Sequence, residues 1–134
     1  MVSASIIEAK YKRAGLNVKN TFLWSQLSDN QKKAIQDKVV FSVEEQCVIV
    51  YYRSLSYSWT ITNLRLIIFT DNNVTDYTFD KIKGAKFPDA EEIKNNKKEI
   101  DQLTLHLVNG NDIVLYVENT TWHFIYGLLK FLLP

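Results

Sequence analysis

Two histidines, a single cysteine and one cluster of carboxylates are the first places to look for chemistry in this chain. His106 alternates with Leu103, Leu105 and Leu107, so on a strand it faces away from the leucines, an exposed or rim position. His123 follows Trp122 in the opening turn of a terminal helix, where it reads as half-exposed. Neither histidine stands at a metal-ligand spacing from Cys47, which lies among valines and isoleucines as a small buried hydrophobe. Asp89, Glu91 and Glu92 are followed closely by Lys94, Lys97 and Lys98. That mixture reads as a solvated charged loop rather than a carboxylate pair tuned for acid–base work. The four glycines, Gly15, Gly84, Gly110 and Gly127, form no phosphate-cradling loop. The expectation is a protein with no catalytic residue, no metal and no cofactor.

Residues suited to binding are easier to find. Tyr51, Tyr57 and Trp59 lie in β-forming runs, and strand alternation puts Tyr51 and Tyr52 on opposite faces. Tyrosine and tryptophan anchor interfaces well because they bury much area while ordering few torsions. With Lys94, Lys97 and Lys98 of the charged loop they form the predicted partner-binding set.

Bulk properties narrow the classes. A chain of 134 residues with 46% apolar and 13% aromatic content is one domain with a core of its own. The net charge of +1 lacks the basic excess of a general nucleic-acid binder, so nucleic acid is not an expected partner. Charge is uneven, however. Residues 1–40 hold seven basic against three acidic side chains, and the remainder nine against twelve. A lone cysteine allows no intrachain disulfide. The first ten residues lack the pattern of a secretory leader, and no apolar run approaches the roughly 20 residues of a membrane span, so the expected location is the cytoplasm.

The elements that must position these residues change character near residue 44. Residues 4–14 predict a short helix with Ile7, Tyr11 and Ala14 on one face and Gly15 as its stop. A second helix starts at Ser28, whose spacing to Gln31 is that of a capping box, with Leu27 as staple and Ala34, Ile35 and Val39 as its apolar side. Phe22-Leu23-Trp24 reads as an apolar anchor between them. Strands are predicted at Gln46–Arg53, Tyr57–Thr62, Leu64–Thr70, Val74–Phe79 and Lys83–Phe87, and Asp89–Glu99 as a loop or short surface helix. Gln102–Val108 and Asp112–Val117 form a hairpin. An odd, three-residue loop with Gly110 at positive φ is predicted there. It alone puts Leu103, Leu105 and Leu107 on the same face as Ile113, Leu115 and Val117. The chain closes in a helix capped by Asn119 or Thr120, with Trp122, Ile125, Tyr126, Leu129, Leu132 and Leu133 as an apolar stripe.

Thr62-Asn63-Leu64-Arg65-Leu66-Ile67 resembles the TNxRLI signature of pleckstrin-homology-like domains of the bacterial and GRAM type. Tyr77-Thr78-Phe79-Asp80-Lys81-Ile82 is similar to that family's step into its next strand. The resemblance covers residues 44–133. It implies an α+β fold: an antiparallel β-barrel of about seven strands capped by a C-terminal helix, here preceded by a helical extension over residues 1–40. Lipid-binding members of the family would be expected to carry a basic cluster in the first strand–strand loop, where this chain has the single Arg53. The reading is a non-catalytic protein that docks a protein partner, of which a toxin-neutralising immunity protein is one kind. The alternative is a peripheral membrane- or lipid-binding module, with Phe22 and Trp24 inserting at the bilayer surface.

Overall fold

The computed structural model describes residues 2–54, 56–96 and 99–134, Glu92 and Asn96 by their backbone alone. The chain begins with α1 (Ala4–Ala14), capped by the Ser3 hydroxyl and closed by Gly15 in the left-handed region at φ 59°. A three-residue strand β1 (Thr21–Leu23) and helix α2 (Asp29–Gln36) follow, the latter with the Ser28/Gln31 capping box in place. Then come β2 (Cys47–Ser54), β3 (Tyr57–Thr62), β4 (Arg65–Thr70), β5 (Val74–Thr78) and β6 (Ile82–Ala85). Helix α3 (Ala90–Asn96), strands β7 (Gln102–Leu107) and β8 (Asp112–Tyr116) and helix α4 (Trp122–Leu132) complete the chain.

These strands form two antiparallel sheets, β1-β2-β3-β4-β5 and β6-β7-β8. The expected closed barrel of about seven strands is corrected on two counts: eight strands are described, and the two sheets do not close. The extra strand is β1, which contains two residues of the Phe22-Leu23-Trp24 anchor. Three residues carry too little periodicity to be read as a strand; pairing with Tyr51, Val50 and Ile49 of β2 makes them one. Side chains rather than a ladder join the sheets. The Trp59 indole N–H donates to the Tyr116 carbonyl at 2.7 Å, and the Tyr116 N–H donates to the Tyr57 hydroxyl at 3.0 Å.

The five-stranded sheet is covered on both faces. Ile49, Tyr51, Trp59, Ile61, Leu66 and Ile68 join the main core with the small sheet, α1 and α4, while Val50, Ile67 and Phe69 pack with Leu27 and Ile35 in a second core. A strand buried on both faces loses its alternation, which is why Leu66-Ile67-Ile68-Phe69 is continuously apolar. Residues 1–40 therefore pack on the sheets. Their details differ in places: Ala14 and Ala34 are exposed, and Val39 lies beyond α2.

The β7–β8 hairpin has the predicted odd loop. Leu105 pairs with Ile113 and Leu103 with Leu115; the Leu107 N–H bonds the Asn111 carbonyl, and Gly110 takes φ 93°. In α4 the buried side chains are Trp122, Ile125, Leu128, Leu129 and Leu132, each worth roughly 1.5–3 kcal/mol on leaving water. Leu128 joins the stripe because α1 covers that side, whereas Tyr126 and Leu133 are half-buried. The cap is neither Asn119 nor Thr120 but Thr121, whose hydroxyl turns back to the Glu118 carbonyl at 2.7 Å.

Candidate functional site

The signature-like segment at the β3–β4 turn is an architectural clasp. Its Thr62 hydroxyl donates to a Glu45 carboxylate oxygen at 2.7 Å and accepts from the Leu64 and Arg65 N–H groups. Asn63 accepts from the Gln46 N–H at 2.8 Å and donates to the Glu44 carbonyl at 3.0 Å. Arg65 grips Glu45 through two bonds of 2.8 and 3.0 Å, and also bonds Asp76 and the Val40 carbonyl. The Glu45 side chain is 1% exposed. Burial by itself would raise its carboxyl, but hydrogen bonds from Arg65, Thr62 and the Ser42 N–H, with the charge of Arg65, outweigh that and hold it below its ordinary value. The side chains of Thr62, Asn63 and Arg65 together tie the chain at 40–46 to the sheet, and Arg65 also reaches β5 through Asp76.

The predicted partner-binding residues part company. Tyr51 (6% exposed) and Trp59 (1%) are in the core, their rings 5.8 Å apart, so neither reaches a partner docking on the folded surface. Strand alternation does set Tyr51 and Tyr52 on opposite faces, but Tyr51 is the one that points into the main core, and Tyr52 is left half-exposed. Tyr57 is half-buried, with its hydroxyl engaged by β8 and its ring edge-on to Tyr116 at 5.3 Å. Lys94 is exposed on α3. Lys97 and Lys98 lie outside the described residues. Phe22 and Trp24, the inserting residues of the membrane reading, pack on the second core, and Arg53 is stacked over Tyr116 at 4.8 Å.

The reactive residue types are dispersed. His106 Nδ1 lies 2.8 Å from Asp112 across the hairpin, both side chains substantially exposed. Burial pushes the Cys47 thiol up to about 11, which disfavours the nucleophilic thiolate. Among the described residues, no three His, Cys, Asp or Glu side chains converge as a metal site, and no helix is long and apolar enough to cross a membrane.

Concavities flank α4 on two sides. On one, the outer edge of β6, which has no strand beyond it among the described residues, faces a groove of about 270 Å³ against Tyr126, Lys130 and Leu133. The Lys86 N–H bonds the Thr104 carbonyl inward, so by alternation the Ala85 N–H points outward into that groove. On the other side, a groove of about 430 Å³ lies between α1 and α4, rimmed by Lys10, Arg13 and His123 over Phe124, Gly127 and Leu128. Sequence reading missed both. Each is made by a helix meeting an element far away in the chain; the only hint was the basic balance of residues 1–40. No family model matches this chain, and no curated protein or solved structure is significantly similar to it.

Proposed function

We propose that this chain is a non-catalytic binding protein of pleckstrin-homology-like architecture that docks a protein partner. With β1 set aside, four consecutive antiparallel strands, three more and a terminal helix packed against them follow the order of such domains. The observation that carries the docking reading is the open edge of β6 beside the α4 groove. Its free backbone groups can pair with an extended segment, and Tyr126 and Leu133 offer apolar contact to alternate side chains.

The test is a photo-cross-linking amino acid at position 83 of the full chain, incubated with extract of its source cells, with position 75 on β5 as control. One defined protein should be captured from position 83 and lost in Ala85→Pro, which removes the outward N–H, and in Gly84→Leu, which fills the groove. Capture that both variants leave unchanged would sink the proposal. Within this class, a toxin-neutralising immunity protein is the narrower form: a small binder with no chemistry of its own. It requires a toxin gene immediately upstream, whose growth arrest co-expression of this chain relieves; an isolated gene counts against it.

A further inference from the structure

The groove between α1 and α4 has a polarity that the fold does not require. Lys12 is neutralised by Glu8 at 3.2 Å on the same helix, yet Lys10 and Arg13 have no acidic partner among the described residues. Lys10 instead lies over the Phe131 ring at 4.1 Å. His123 adds a third basic side chain, and no acidic residue lines the groove. Beneath this rim, Leu128 is buried and Phe124 half-buried, both in contact with the main core.

Gly127 is the second observation. It lies inside α4 without a positive φ, and a Cβ added there would meet nothing within 4 Å. Neither backbone conformation nor close packing calls for glycine, and glycine weakens a helix interior. What the missing side chain does is leave the groove floor open.

We infer that this groove docks a short acidic helix of the partner, with an apolar side chain over Gly127 and carboxylates reaching Lys10, Arg13 and His123. The inference rests on the docking reading above. Charge complementarity selects an acidic occupant. The two walls are helices whose internal backbone groups are already paired, so an extended segment would find no ladder here, whereas a helix brings its own hydrogen bonds.

A display library of random sixteen-residue peptides, selected on the full chain, tests this. Enriched peptides should place Asp or Glu three or four positions from an apolar anchor. Their affinity should fall at least tenfold in Lys10→Glu, Arg13→Glu and Gly127→Leu, weaken with salt, and survive Ala85→Pro, with circular dichroism confirming that each variant is folded. Peptides indifferent to the three groove variants would overturn the inference; if Ala85→Pro then abolishes their binding, the docking reading survives alone. A library yielding no binder counts against both. Pelleting with phosphatidylserine vesicles, or a dimer in sedimentation equilibrium, abolished in either case by Arg13→Glu, would reassign the groove to a membrane or to a second copy.

Discussion

Arg65 at the β3–β4 turn and Arg13 on α1 are the same residue type in opposite circumstances. Arg65 has two carboxylates and a backbone carbonyl around its guanidinium, one carboxylate being almost wholly buried. Arg13 stands on a groove rim in none of the ion pairs described. An arginine that makes four hydrogen bonds, two of them to a buried carboxylate, holds the protein together, and removing it strands a buried charge. One whose donors are open contributes little to stability and is available to something else. Glu118 is engaged in the same way as Arg65: it accepts from the Lys19 and Asn20 N–H groups and the Thr21 hydroxyl, tying the approach to β1 to the chain before α4.

The contrast is sharpest in the largest expected effect. Arg65→Ala leaves the Glu45 carboxylate buried without its cation and should destabilise by about 3–5 kcal/mol in urea titration; a loss below about 1 kcal/mol would erase the distinction between the two arginines. Acid should reach the same clasp. Because the folded Glu45 carboxyl titrates below its ordinary 4.5, its contribution is complete above that value and is lost as pH falls through the folded one. Unfolding free energy measured from pH 7 to 3 should therefore decline in acid, and Glu45→Gln, less stable at pH 7, should show a shallower decline. A variant curve parallel to that of the parent would refute the assignment. Gly127→Ala should raise stability by roughly 0.5–1 kcal/mol, seen as a higher Tm, since the new methyl group meets no neighbour. The smallest effect belongs to Arg13→Ala, within about 0.5 kcal/mol of the parent in the same urea titration.

Legibility followed the range of the interaction. The capping box at Ser28, the left-handed stop at Gly15 and the β7–β8 loop were read from a few adjacent residues, because the groups that satisfy them are local. The clasp was recognised only as a pattern of residue types. Its meaning depends on Glu45, twenty positions from Arg65, which nothing local marked. Trp59 and Tyr51 were misplaced for a related reason. Both point into the main core, where the small sheet, α1 and α4 cover them, and strand alternation alone does not say which of two faces will be covered. β1 was too short to show a period, and the two grooves flanking α4 are not properties of any one segment.

By itself, the amino-acid sequence determined the α+β class, the antiparallel hairpins, both N-terminal helices and the amphipathic terminal helix, since periodicity, turn chemistry and capping act within a few residues. Only the tertiary structure decided that the sheets stay open and number five and three strands, that Arg65 is held in the clasp while Arg13 stands on a groove rim, and that α4 borders the β6 edge groove and the basic groove. Those outcomes depend on which distant surfaces exclude water together, and pairing of that kind is written in no single stretch of the chain.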